Sequence, residues 1–296
     1  MMKVLIAEYS TAHDPVLAPE GAAMLTVLKQ SFEGCGYTVL LPGNGDFGAE
    51  IEHIAPLCDM GLVIAPDHLL ARYTEILEQH THNLGCGFVA AALCANKVQA
   101  EKILRSHNIP VPGEARLGKR VIKPIKGCGA LGVRLSDGPL GAGEFSQRYI
   151  EGEHLSVSVV GSRVVGDACE YFTGKPPLVL AVNRQFIQTT SDGTFHYRGG
   201  ETPVHPARES EIIDVAKKAI EVLGCQGYCG IDVVLADEVY VVDVNPRITT
   251  SLVGIAACMK EEIADILVAA SKGGGPDHVH LTGGARFDTQ GKVISV

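Results

Sequence analysis

The sequence predicts an α/β chain, α+β overall, with a parallel sheet in its first third and antiparallel sheet in its second half. Three observations carry this. Short apolar strands alternate with amphipathic helical stretches over roughly the first 93 residues. From residue 121 to 187 one strand follows another without a helix between them. Two β-branched runs, Ile231–Leu235 and Val239–Val244, flank a polar turn at Asp237-Glu238 and read as a hairpin. Alternating strands and helices favour a parallel sheet, whereas strands in uninterrupted series favour antiparallel pairing.

Lys3–Glu8 is a short buried strand of the kind that opens a parallel sheet. A polar loop, Tyr9–Glu20, leads to a helix over Gly21–Phe32, with Ala22, Met24, Leu25, Leu28 and Phe32 on its apolar side. Strands follow at Tyr37–Leu41 and Leu62–Ala65, with helical stretches near 49–58 and 69–82. No G-x-G-x-x-G follows the first strand, which argues against a dinucleotide site there. Open sheets bind ligands beyond the carboxyl ends of their strands, so Glu8, Tyr9, Asp14, Glu20 and Asp67 become substrate-site candidates.

Asn96 is placed to cap a helix running to His107, and Lys97 enters its first turn, where a cation opposes the helix dipole. An anion beside Lys97 would remove that conflict. Ile109-Pro110-Val111-Pro112 is extended, as residues preceding proline must be. Val121–Pro124 is a strand carrying Lys123 among apolar neighbours, followed by a loop with Gly127, Gly129 and Gly132 and then a second strand, Val133–Leu135. The glycines match G-x-G-x-x-G by letter, but a strand rather than a helix follows, so they form a hairpin tip whose N–H groups can approach phosphates. Phe145–Ile150 is the next strand. The expected units are 1–93, 94–150 and 151–296.

In the last unit Leu155–Val160 alternates cleanly, strands continue at 163–172 and 178–187, and a polar loop covers 189–206. Asn183-Arg184-Gln185 sits within an otherwise apolar strand. Glu209–Leu223 is an amphipathic helix, the hairpin follows, and Ser251–Ala270 reads as one helix ended by Gly273–Pro276. Ser251 either caps that helix or meets substrate. The tail to Val296 is expected to be a small hairpin or surface strand, and there is no internal repeat.

The 296 residues are 46% hydrophobic and 20% charged, with a formal charge of −9 and pI near 5.6, which argues against nucleic acid as a partner. No apolar run is long enough for a membrane span and Met1-Met2-Lys3 leads directly into a strand, so no signal peptide is expected and the expected compartment is the cytoplasm. Nine cysteines are scattered without a C-x-x-C pair, Cys225 and Cys229 being the nearest in sequence, and are expected to be buried free thiols. His80/His82 and His278/His280 lack the partners that a zinc site requires.

The hairpin holds the sharpest chemical signal. A two-residue turn pairs Asp232 with Asp243, roughly 4.5–5.5 Å apart at Cβ, where like charges destabilise a sheet. Asn245 shares their face. A solvated face would tolerate the two acids, but Val233, Leu235, Val242 and Val244 would line one face, and Ile231, Val234, Tyr240 and Val241 also leave little polar surface. A divalent cation cancels the repulsion, and all-oxygen donors suit Mg²⁺, which shares its shell with substrate phosphates. Pro246 then stops the strand and Arg247 emerges where an anion would lie.

In this order, the lysine opening a helix, the lysine strand with its glycine loop, a strand ending in x-x-G-E, and an Ile-Asp-Val strand before Asp-x-Asn-Pro-Arg resemble the ATP-grasp superfamily over about residues 94–260. The resemblance implies an ATP-grasp fold: a Rossmann-like N-terminal domain, a small lid and an antiparallel ATP-grasp subdomain. It implies that Lys97 and Lys123 hold ATP phosphates under the loop of Gly127, Gly129 and Gly132. Gln147, Tyr149 and Ile150 would bind adenine, and Glu153 the ribose. Asp232, Asp243 and Asn245 would carry Mg²⁺, with Mn²⁺ as a substitute, while Arg247 and Arg184 would face the acyl phosphate and carboxylate. Gln147 stands where glutamate is commoner and Asp243 where many members use glutamate. The lid, about 113–148, is short. Within the superfamily, Glu8-Tyr9, Glu20–Leu25, Phe32 and Asn183–Gln185 are similar to a group of ligases that join an amino acid to an amine.

The implied activity is ATP-dependent carboxylate–amine ligation, with small-molecule substrates and a homodimer as the expected assembly. For Arg184 a structural salt bridge competes with the substrate role. A nicotinamide oxidoreductase is the rival suggested by the glycine letters alone. A nucleotide-binding protein without catalysis is the rival suggested by the fold alone.

Overall fold

The computed structural model describes residues 1–125, 127, 131–162, 165–167, 170–172 and 174–296, with the strands at 165–167 and 170–172 known by backbone only. Its first part forms β1 (Lys3–Glu8), α1 (Ser10–His13), α2 (Ala18–Gly34), β2 (Thr38–Leu40), α3 (Phe47–Ile54), β3 (Met60–Ile64), α4 (Asp67–Glu78) and β4 (His82–Asn83). These strands make one parallel sheet in the order β2-β1-β3-β4. The chain continues through α5 (Phe88–Ala95) and α6 (Lys97–Ser106). Asn96 caps α6 as expected, its side chain accepting from Gln99 N at 3.2 Å. The segment α5 was not expected: its residues are apolar on all sides, so no helical stripe stands out.

A three-stranded antiparallel sheet follows, with β5 (Arg120–Pro124) between β6 (Arg134–Ser136) and β7 (Glu144–Arg148). The remainder supplies β8 (Glu153–Gly161), β9 (Val165–Asp167), β10 (Glu170–Phe172), β11 (Leu178–Thr189), β12 (Phe195–Thr202), α7 (Glu209–Val222), β13 (Gly227–Leu235), β14 (Val239–Asn245), α8 (Ser251–Cys258), α9 (Ile263–Ala270), β15 (Ala285–Phe287) and β16 (Val293–Ser295). Strands β9 and β10 pair with each other, and the rest form a seven-stranded sheet ordered β14-β13-β8-β11-β12-β15-β16.

Two expectations are corrected here. The polar loop at 189–206 contains β12, whose alternating Phe195 and Tyr197 are obscured by polar partners and by Gly199-Gly200. The helix expected over 251–270 is two, because the backbone becomes extended at Met259 and again at Glu262 before α9 starts.

Alternation along β8 sends Leu155, Val157 and Val159 into a core with α7, Ala90 and Cys94 of α5, and Ala100 and Leu104 of α6. The opposite face of the large sheet, through Val160, Leu180 and Tyr228, shares a core with α2, α8, α9 and β1. That shared core fixes the parallel sheet beside the large one.

Glu8, an expected substrate residue, instead caps α1: Ser10 N and Thr11 N donate to its carboxylate at 2.9 and 2.7 Å. A Cβ on Gly21 would overlap that carboxylate, which accounts for a glycine inside α2. Glycine to alanine within a helix normally stabilises by about 1 kcal/mol. Here Gly21→Ala should forfeit that gain, leaving stability unchanged or lower by up to about 1 kcal/mol, since displacing Glu8 releases its cap. A urea midpoint that rises would contradict this packing.

Candidate active site

An open cleft of about 1330 Å³ lies between the three-stranded sheet and the large sheet. Lys123 of β5 faces it from one side and Asp232, Asp243 and Asn245 of the hairpin from the other, with Lys97 and Arg247 also on its wall. The sequence expectation that Asp232 pairs with Asp243 holds, but by a different route. The turn has three residues, with Leu235 opposite Val239, and a bulge between Asp232/Val233 and Asp243/Val241 leaves Val242 unmatched. This extra residue restores the register that a two-residue turn would have given. It also frees the Val242 carbonyl, which accepts from Lys123 Nζ at 3.0 Å.

Asn245 Nδ2 donates to Asp232 Oδ2 at 3.3 Å and Gln185 Nε2 to Asp232 Oδ1 at 3.0 Å. Lys97 Nζ lies 2.6 and 2.5 Å from the two Asp243 oxygens and 3.8 Å from Asp67 Oδ2. Arg247 Nε donates to the same Asp67 at 3.1 Å. Burial first, and then the charge of Asp243, push Asp232 up to about 7, with Lys97, Lys123 and the Asn245 amide holding it from going higher. Burial opposes charge on Lys97, but Asp243 and Asp67 outweigh it and raise its pKa. Lys123 goes the other way, lowered chiefly by burial and only partly restored by Asp243. The donor set, two close carboxylates and an amide oxygen among cations, is one that a hard divalent ion fits. An ion there would offset both the burial and the Asp243 charge that raise Asp232.

The expected adenine residues Gln147, Tyr149 and Ile150 line the cleft, and Gln147 Nε2 donates to Glu101 Oε2 at 2.5 Å. Gly127 also lines it, Gly132 follows with φ +73°, and Gly129 lies outside the described residues. Glu153 and Arg184 are brought together elsewhere: Arg184 Nη2 binds Glu153 Oε1 at 2.8 Å, and neither is among the residues lining the cleft. Of the substrate candidates, Glu20 lines the cleft and accepts from Thr250 Oγ1 at 2.7 Å. Asp67 supports Lys97 and Arg247 from behind. Asp14 accepts from Val16 N and Leu17 N, and Tyr9 packs among His13, Phe47 and Tyr73. Ser251 lines the cleft and starts α8 without a side-chain cap bond.

The sequence reading missed His154, Phe195, Tyr197, Thr249 and Thr250, all on the wall. His154 is lowered by burial and by the neighbouring Lys123. Burial, then the charges of Glu20 and Asp232, drive Tyr197 well above the ordinary phenol range, so its hydroxyl stays neutral. Recognising β12 as a strand would have placed Phe195 and Tyr197 on one face.

Residues 94–251 match the ATP-grasp domain family, and the chain belongs to it. Two relatives are tyramine–L-glutamate ligases from Methanocaldococcus species. That of M. fervens is 31% identical over 71% of this chain and 65% of its own length; that of M. jannaschii is 29% identical over 71% and 62%. The chain therefore spans somewhat under two thirds of those relatives. An ATP-grasp superfamily protein from Archaeoglobus fulgidus has the same fold, with a TM-score of 0.77 and 28% identity over 97% of this chain and 92% of that one. Among the described residues no helix is long and apolar enough to cross a membrane.

Proposed function

We propose that this chain is an ATP-dependent carboxylate–amine ligase acting on glutamate and tyramine, a step of methanofuran biosynthesis. The observation that carries the reading is the convergence of Lys97, Lys123, Arg247, Asp232, Asp243 and Asn245 on one cleft. Four cations, Lys97, Lys123, Arg148 and Arg247, and four carboxylates, counting Asp67 and Glu20, surround it, so one added divalent ion turns its balance positive and suits a polyphosphate. Asp232, Asp243 and Asn245 would hold Mg²⁺, which when bound neutralises phosphate charge.

Lys97 and Lys123 bind the phosphates, Gln147, Tyr149 and Ile150 hold the base, and Arg247 orients the carboxylate by its planar fork. A carboxylate oxygen attacks the γ-phosphorus and ADP leaves, giving an acyl phosphate. The amine nitrogen then attacks the acyl carbon, loses a proton and expels phosphate. Glu20 is the candidate to hold the incoming amine, since burial raises its pKa and Thr250 fixes it near Tyr197. Phe195 and Tyr197 supply an aromatic wall suited to an aryl amine.

The test is ADP release with glutamate plus tyramine against each alone and against other amino acid and amine pairs. Release requiring both supports the proposal; release with a different pair keeps the ligase and discards these substrates. Nucleotide binding without ADP release under any pair would leave a non-catalytic binder. A pH dependence also follows. With Asp232 near 7, protons compete with Mg²⁺ below that value, so the apparent Mg²⁺ affinity should rise about tenfold per pH unit up to 7 and then level off. Titration of the Mg²⁺ requirement between pH 5.5 and 8.5 reads this directly, and a flat profile would contradict it.

A further inference from the structure

Four cysteines far apart in sequence meet away from the cleft. Cys86 follows β4, Cys94 is on α5, Cys225 precedes β13 and Cys229 is within it. Their exposures are 4%, 3%, 6% and 0%. The sulfurs of Cys86, Cys225 and Cys229 lie within 4.8 Å of one another, and Cys94 Sγ is 3.7 Å from Cys225 Sγ. The four are free and buried as expected, but sequence separation hid that they form a cluster. It is drawn together by a close backbone approach, since Gly227 (φ +61°) sits so near the Leu84 carbonyl and Gly85 that a Cβ would overlap them.

We propose that Cys86, Cys225 and Cys229, with Cys94 in the fourth position, bind one structural Zn²⁺. A tetrahedral ion with Zn–S of about 2.3 Å sets sulfur–sulfur separations of about 3.8 Å, within small side-chain adjustments of those among Cys86, Cys225 and Cys229, while Cys94, close to Cys225 alone of the three, would swing inward to complete the shell. A disulfide needs about 2.05 Å, so 3.7 Å is the separation of unlinked sulfurs. Cys225 and Cys229 stand in a C-x₃-C arrangement, an ordinary spacing for a zinc-binding pair. Hydrogen bonds from the Cys225 and Cys229 thiols, and from the N–H groups of Gln226 and Gly87, hold Cys86 well below the usual thiol range. Those N–H groups would remain on the thiolate after the other thiols pass their protons to solvent and take the metal. The ion would tie the segment after β4 to β13, which itself carries Asp232 in the cleft. The site is independent of the ligase reading, because none of its residues lines the cleft.

Protein purified in reductant without chelator should contain about one zinc per chain by elemental analysis. Replacing the metal with Co²⁺ should give thiolate-to-cobalt charge-transfer and tetrahedral d–d bands in the unmutated chain, so this readout needs no variant. Cys229→Ser should drop zinc at least about tenfold, while Cys258→Ser, buried outside the cluster, should retain it. Failure of the unmutated chain to take up Zn²⁺ or to show the cobalt bands would overturn the proposal. So would a disulfide among the four in the native protein by mass spectrometry.

Discussion

Asp243→Asn should lower ATP turnover by about 10³-fold or more at saturating Mg²⁺, while leaving the protein folded. Asparagine keeps the shape and the strand pairing with Asp232 but removes the charge that pairs with Lys97 and that would bind the metal. Removing one preorganised group from a charged transition state typically costs 10²–10³-fold, and a lost metal ligand compounds that. The fold should survive because the same change relieves the like-charge pressure on Asp232. That carboxyl should then titrate below its present value of about 7. A variant with normal ADP release would remove Asp243 from the metal site. One that is inactive and unfolded would instead assign it to stability, and a downward shift of the Asp232 titration separates the two.

Lys123→Met should act with opposite signs on binding and stability. Methionine keeps most of the stem while losing the ammonium group, so the KM for ATP should rise about 10²-fold. Burial already lowers the Lys123 pKa, which means that the fold bears a cost for that charge at neutral pH. The sign follows from linkage: a lysine whose folded pKa is depressed loses stability as pH falls below its unfolded value, and recovers it above that value. Removing the charge should therefore raise the melting temperature of the ligand-free protein near pH 7, less the loss of the bond to the Val242 carbonyl. A lower melting temperature with unchanged KM would make Lys123 a structural residue.

Much of this site was legible because period-two alternation places side chains without any knowledge of the fold. Asp232, Asp243 and Asn245 followed from that rule, and Lys123 was conspicuous as a charge within an apolar strand. The family resemblance carried Lys97 and the Gln147–Ile150 hinge, all of which reach the cleft. What was not legible depended on contacts between distant segments. Nothing in the sequence shows that Glu153 and Arg184 take up each other's charge, because the pair forms across the β8–β11 ladder. Asp67, ranked with ordinary loop acids by sequence, is buried beneath both Lys97 and Arg247. The cysteine cluster joins positions 131 or more residues apart, such as Cys94 and Cys225.

The unmatched residue in β14 has a consequence for how the cleft is held before substrate arrives. Its carbonyl gives the Lys123 ammonium a berth on the opposite wall, so one side chain latches the small sheet to the large one. An arriving polyanion must compete for that ammonium, trading a peptide oxygen for its own. On the proposed ligase reading, capture of the nucleotide would exchange this bond for one to its phosphates, while the bond from Arg148 Nη2 to the Tyr240 hydroxyl, 3.2 Å long, would still tie the two sheets at the far end of the strand pair.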